Sequence, residues 1–363
     1  MSPACPAGSI PARRPVRKDP HFGPGARLRR GPSLRYPLAV HRIDIVIVTP
    51  ALADANNGNW QTARRWARML STTCRVRLAT QWTEGDEDLM IALHARRSAA
   101  SVTQWRASRP TAPLILVLTG TDLYRDITAD ESAQASLRCA DHLVVLNELG
   151  ARALPESFRP KACVVLQSCS ARQQRAKTGL HLRALMVGHL RAEKSPGTYF
   201  DAARLLVPRS DIRLDHIGAA LDLALGAEAA SLMAACPRYR WLGALGHEAT
   251  RQRIQAAHLL VHPSRMEGGA NVVIEALRSG TPVLASHIDG NLGLLGDDYD
   301  GYFPVDDATA LAALLRRVRD DPAMLCRLQQ QCDARAGLFE PARESAALQA
   351  LVGAALPAHA RRQ

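Results

Sequence analysis

The sequence predicts an α/β protein built as two doubly wound domains, each a parallel sheet wrapped by helices, with a cleft between them. Three observations lead there. Short apolar runs alternate with stretches of helical periodicity through residues 42–356, the pattern of β–α units. At 363 residues and 47% hydrophobic content, the chain is long enough to bury two cores. Near its middle, Ser168 to Arg183 is polar and basic with no apolar period, as expected of a linker.

Residues 1–41 hold eight Arg or Lys against the single Asp19, so +7 of the net charge of +12 sits there and only +5 on residues 42–363. This Pro-, Arg- and Gly-rich segment has no apolar core of a signal peptide and no packing period, and reads as a disordered basic extension. Without it the body is only mildly basic, so no nucleic-acid partner is expected; a nucleic-acid-binding protein acting through the arm is the alternative from another class. No apolar run reaches membrane-spanning length, so no stable membrane insertion is expected. The eight cysteines contain no C-x2-C pair and sit among apolar neighbours, which fits a reducing, cytoplasmic setting and no metal site.

The domains are placed at 42–170 and 184–337, with 171–183 as linker and 338–356 as a C-terminal helix. Ile43–Val48 is the first strand; the loop Thr49 to Asn59, with Gly58 near its end, leads into a helix whose apolar face is Trp60, Ala63, Ala67 and Leu70. Leu89–Leu93 runs into His94-Ala95-Arg96-Arg97-Ser98, and Leu114–Leu118 into Thr119-Gly120-Thr121-Asp122-Leu123-Tyr124-Arg125. His142–Leu146 and Cys163–Leu166 complete a five-stranded first sheet. Leu185–Gly188 opens the second domain, and Pro196 suits the start of the next helix, Thr198 to Leu206. Ile212–Gly218 and Tyr239–Gly243 are strands, Glu248–Ala257 is a helix, and Leu259–Val261 and Val283–Ala285 are strands flanking a helix at Ala270–Arg278. Ile288–Gly293 reads as a second glycine loop, and Ala308–Leu356 as helical.

The chemistry concentrates at strand exits, the edge where open α/β sheets bind ligands. A helix starting beside the strand at Leu259–Val261 leaves unpaired N–H groups at Gly268, Gly269 and Ala270, and two glycines let a phosphate approach: an anion seat. Glu267 stands before that helix and Glu275 about a turn and a half inside it, placed to accept hydrogen bonds from different parts of one elongated ligand. Arg191 and Lys194 flank another strand-to-helix turn on the same edge and could hold a diphosphate, Arg as a fork and Lys as a point charge. In the first domain His94, Arg96, Arg97 and Arg125 form a cationic group at strand exits, and only His94 or Asp122 could serve as base for a hydroxyl nucleophile.

With Arg191, Lys194, Glu267-Gly268 and Glu275 in that order, followed by Gly280-Thr281-Pro282-Val283, the second half resembles the retaining GT-B glycosyltransferases of family four. That resemblance implies two Rossmann-like domains, a nucleotide-sugar donor held mainly by the second, no required metal or cofactor, and a last helix crossing back to the first domain. It casts Arg191, Lys194, Glu267 and His94 as catalytic, and Gly58, Leu242, Gly268, Gly269, Ala270, Asn271, Val272 and Glu275 as donor-binding. Many relatives carry an aromatic residue where Gly269 stands. A narrower resemblance, over residues 42–355, rests on Gly58–Trp66, His94–Ser98, Thr119–Tyr124 and Glu267–Asn271 and is to the selenosugar synthases of selenoneine biosynthesis. It implies UDP-N-acetylglucosamine or UDP-glucose and selenophosphate as substrates, joined through a carbon–selenium bond, with Asn59, Arg96, Arg97, Asp122 and Arg125 on the acceptor. The alternative enzyme is a family-four transferase acting on a saccharide or lipid hydroxyl.

Overall fold

The computed structural model describes residues 42–50 and 58–356. The expected extension at residues 1–41 lies outside the described residues, as does most of the loop before Gly58. The first half runs β1 (Asp44–Val48), α1 (Gly58–Leu70), β2 (Arg75–Ala79), β3 (Leu89–Leu93), α2 (Ala99–Ser108) and β4 (Leu114–Leu118). A widened turn at Asp122–Asp126 continues into α3 (Ile127–Ala129), followed by α4 (Glu131–Cys139), β5 (His142–Val145) and β6 (Ala162–Val164). Its six strands pair in parallel in the order β2-β1-β3-β4-β5-β6.

The second half comprises β7 (Leu182–Val187), α5 (Pro196–Leu205), β8 (Ile212–Ile217), α6 (Leu223–Ala235), β9 (Tyr239–Trp241), α7 (His247–Ala256) and β10 (Leu259–His262). It continues with α8 (Asn271–Leu277), β11 (Val283–Ser286), α9 (Asp289–Leu295), β12 (Tyr302–Phe303), α10 (Ala308–Asp320), α11 (Pro322–Ala336) and α12 (Pro341–Ala355). Its parallel sheet has the order β12-β11-β10-β7-β8-β9.

The central strands of the first sheet are apolar throughout because helices cover both faces: every residue of β3 (Leu-Met-Ile-Ala-Leu) and β4 (Leu-Ile-Leu-Val-Leu) is buried. The edge strand β2 is different, and the sequence reading missed it. Arg75 and Arg77 alternate with Val76 and Leu78, and the arginines pair with Asp44 and Glu87, so its exposed side is held by ion pairs. The glycine loop expected at Ile288–Gly293 is instead part of helix α9; Leu294 and Leu295 are buried there, and that packing outweighs the low helix propensity of glycine.

Both sheets reverse winding direction once, between β1 and β3 in the first and between β7 and β10 in the second. Loops leaving neighbouring strands there diverge to opposite faces and open a crevice at the carboxyl ends. Gly58 follows β1, His94 follows β3, Gly188 to Lys194 follow β7 and Pro263 to Glu267 follow β10, so both crevices are lined by the loops singled out above. The last helix belongs to the first core: Leu348, Leu351 and Val352 of α12 pack with Ile45, Trp66 and Leu70. Its Glu344 side chain is fully buried and accepts from Arg65 Nε at 2.8 Å, Trp66 Nε1 at 2.7 Å and Ser168 Oγ at 2.5 Å.

Candidate active site

A cavity of about 700 Å³ lies where the two crevices meet, lined by loops from both halves. From the first half come Gly58, Asn59, Gln61 and Thr62 at the start of α1, His94 and Arg97 after β3, and Thr119 to Thr121 after β4. None of these carries a carboxylate, so that wall, among the described residues, is neutral to cationic.

His94 adopts a left-handed backbone (φ 74°), a conformation histidine tolerates better than most side chains and one common where chemistry is done. The Arg97 N–H donates to its Nδ1 at 3.4 Å, leaving the ring proton on Nε2, 3.1 Å from Thr121 Oγ1. Burial, with Arg97 and Arg96 acting in the same direction, outweighs the pull of Asp122 and Asp126, so His94 titrates below its ordinary value. A neutral imidazole faces the cavity near neutral pH.

The opposite wall is built on β7, β8 and β10. Lys194 Nζ pairs with Glu267 Oε1, and His262 Nε2 lies 3.2 Å from the same oxygen. Burial opposes ionisation of Glu267, but Lys194 and His262 outweigh it and hold the carboxyl well below the usual range. Arg191 lines the cavity with no carboxylate partner among the described residues, and its buried Nε has no hydrogen-bond partner. A guanidinium so placed is available to an anion. Glu275, 6% exposed, accepts from His247 Nε2 at 2.7 Å. Between these groups the wall is apolar, with Val187, Ile217, Ala219, Ala244 and Leu245.

Of the residues expected on the ligand, Gly58, Asn59, His94, Arg97, Arg191, Lys194, Glu267, Gly269, Ala270, Asn271, Val272 and Glu275 all line this cavity. Five do not. Asp122 is fully buried, and its oxygens accept from the N–H groups of Ala95, Thr119 and Gly120, each at 2.9 Å; it shapes the two loops and is not free to act as a base. Arg96 pairs with Asp126 at 3.0 Å, and Arg125 bridges Asp126 (3.0 Å) and Glu193 of the second half (3.1 Å), so both are drawn aside. Leu242 continues past β9, its N–H bonded to His216 O at 2.8 Å and its side chain turned into the second core; Ala244 and Leu245 line the cavity instead.

Gly268 is the fifth. A Cβ there would stand 2.4 Å from the Thr119 carbonyl carbon, and its own carbonyl accepts from Asn147 Nδ2 at 2.7 Å, so this glycine lets the two halves touch and does not admit a phosphate. Accordingly α8 starts at Asn271, and the backbone that reaches the cavity is shifted to Gly269–Val272. At Gly269 a Cβ would lie 2.6 Å from Gln167 Oε1 and 2.7 Å from Leu146 Cβ, so any side chain there, an aromatic one included, must push these neighbours aside.

The sequence reading also passed over His189, Thr121, Gln167 and His247. His189 and His247 follow strands β7 and β9 and could have been found by that position; His189 is pushed down by burial and by Arg191 and Lys194. Gln167, buried and bonded to Thr62, lies in no element and carried no signal. Among the described residues no group of three or more His, Cys, Asp or Glu is arranged to hold a metal ion, and no helix is long and apolar enough to cross a membrane.

Residues 170–336 match the family model described as Glycosyl transferases group 1. The D-inositol 3-phosphate glycosyltransferase of Streptomyces avermitilis is 29% identical over 202 residues, 52% of this chain, so the chain spans less than half (44%) of that protein's length. Among solved structures, sucrose-phosphate synthase from Thermosynechococcus elongatus superposes with a TM-score of 0.71 at 18% identity, over 86% of this chain and 98% of that one. HepE of Anabaena, solved in complex with UDP-glucose, superposes with a TM-score of 0.70 at 13% identity, over 86% and 100%. These likenesses establish the two-domain GT-B fold.

Proposed function

We propose, from the match of residues 170–336 to the group 1 glycosyl transferase model, that the chain is a UDP-sugar-dependent transferase that joins the anomeric carbon to the selenium of selenophosphate, releasing UDP and phosphate. One observation carries the reading. The four strings that support the narrower resemblance, Gly58–Trp66, His94–Ser98, Thr119–Tyr124 and Glu267–Asn271, lie far apart in sequence, yet each contributes to the wall of one cavity, of about 700 Å³, where the two crevices meet.

The residues fit the chemistry. The diphosphate belongs at Arg191 and Lys194, where charge-assisted hydrogen bonds are worth about 1.5–3 kcal/mol each. Glu275 takes the ribose hydroxyls and Glu267 the donor sugar. When the bond from the anomeric carbon to the β-phosphate oxygen breaks, its electron pair leaves with UDP, and the two cations stabilise that charge. Selenium, already anionic, needs no deprotonation. This agrees with a first-half wall that offers Arg97 and a neutral His94 but, with Asp122 saturated, no carboxylate base. Water then cleaves the selenium–phosphorus bond to give phosphate and the selenol.

The test is mass spectrometry of product formed from UDP-N-acetylglucosamine or UDP-glucose with and without selenophosphate. A selenium isotope pattern on a hexose or N-acetylhexosamine, dependent on selenophosphate, is expected. UDP release with no selenium in the product would overturn the acceptor assignment and leave a hydroxyl acceptor in its place.

A further inference from the structure

Three non-glycine residues among those described have a left-handed backbone: His94 in the cavity wall, Ser195 (φ 45°) and Asp306 (φ 62°). The last two are hydrogen-bonded to each other, Ser195 Oγ donating to Asp306 Oδ1. Left-handed conformation is costly for L-residues, and serine lacks the tolerance of asparagine, aspartate and histidine. Such strain persists only where the surroundings over-determine it, and it gathers at functional sites.

What surrounds this pair connects both partners of the Lys194–Glu267 ion pair. Ser195 directly follows Lys194 and ends its turn. On the other side, Arg265, two residues before Glu267, places Nε 2.9 and 2.8 Å from the two oxygens of Asp306. The Arg265 N–H also donates to Glu193 O at 2.9 Å, stitching its loop to the turn that holds Arg191 and Lys194. One carboxylate therefore holds the Lys194 turn through Ser195 and the Glu267 loop through Arg265. Asp306 itself does not line the cavity.

We infer that Asp306 is a positioning residue: from outside the cavity it fixes the spacing between the Arg191–Lys194 turn and the Arg265–Glu267 loop, so that both meet a nucleoside diphosphate sugar without rearrangement. The inference rests on the donor site proposed above. Its basis is that charged groups act at full strength only when held near their working geometry, and a displacement of about 1 Å can lose roughly 10²-fold.

The experiment measures the Kd of UDP by calorimetry, alongside thermal unfolding, for the wild type and four variants. Asp306→Gly keeps the backbone conformation and removes the carboxylate; its Kd should rise about tenfold. Asp306→Asn, which keeps acceptors for Ser195 and Arg265 but not the charge, should fall between. Ser195→Gly relieves the strain, should unfold no earlier than the wild type, and should still bind UDP more weakly; it also keeps the test decisive if Asp306→Gly fails to fold. Asp307→Ala removes the N-cap of α10, whose carboxylate accepts from Ala310 N at 2.8 Å, and should lower the unfolding temperature while Kd stays within twofold. Kd unchanged in Ser195→Gly and Asp306→Gly, or raised as much in Asp307→Ala, overturns the positioning role. A wild type that does not bind UDP removes the donor site first, and the inference with it.

Discussion

Replacing Glu344 by Ala should loosen the C-terminal helix from the first half far more than an ordinary helix-surface change. The side chain is fully buried and is the common acceptor for Arg65 Nε, Trp66 Nε1 and Ser168 Oγ. Truncation leaves the guanidinium, itself only 19% exposed, and a buried indole N–H without their partner. Removing one member of a buried ion pair typically costs about 3–5 kcal/mol, because the remaining charge is uncompensated. Ser168 can turn its hydroxyl elsewhere, and Arg65 keeps Asn271 Oδ1 at 3.4 Å, so the lower end of that range is the appropriate figure. Since about 1.4 kcal/mol is a factor of ten, amide hydrogen exchange in α12 should accelerate by roughly two powers of ten or more. Glu344→Gln keeps an acceptor for the indole and should lose less than half as much. Exchange in α12 that quickens by less than tenfold in Glu344→Ala would refute the view that this carboxylate pins the helix.

Lys194→Ala removes the cation that holds Glu267 and that the proposed reaction sets against the departing diphosphate, and should lower kcat/KM for the UDP-sugar by about 10²–10³-fold; a loss under threefold in steady-state kinetics would remove Lys194 from the reaction. Gly269→Tyr must push its Cβ against Gln167 and Leu146, so urea unfolding should show about 1–3 kcal/mol of overpacking, with weaker UDP binding; a variant as stable as the wild type would mean that this turn is free to move. Burial lowers His216 to about 4, against the opposing hydrogen bond to Gly188 O. The unfolded chain, with its histidine near 6.5, therefore binds more protons than the folded one between those values, and stability present above pH 6.5 is lost as pH falls toward 4, by about 3 kcal/mol for this group. Urea midpoints should fall over that window in the wild type and fall less in His216→Gln; parallel curves would exclude His216 as a source of acid sensitivity.

The central strands and the crevice loops were legible because local chemistry and global role coincide there. A strand buried on both faces is typically apolar throughout, as β3 and β4 are, and an open parallel sheet must present its loops at the carboxyl ends. That logic placed Arg191, Lys194, Glu267, His94 and Arg97 at strand exits, and in the structure they line one cavity together with Glu275. It could not register β2, whose arginines are stabilised by Asp44 and Glu87, nor the two-residue β12, which exists only as a partner for β11.

What the tertiary structure alone decided is how each polar group is used. A carboxylate in a strand-exit loop reads the same whether it faces a ligand or its own backbone, and only the fold shows Asp122 saturated by three N–H groups while Glu267 faces the cavity. A glycine pair reads the same whether a phosphate or another loop approaches it, and only the meeting of the two halves gives Gly268 to Thr119 and leaves Gly269 to the cavity. Ser195 and Asp306, 111 residues apart, have no sequence signal of their own. Sequence sets propensity, period and the residue types at each exit; partner choice depends on distances between segments far apart in the chain, and those are set when the two sheets and their loops pack.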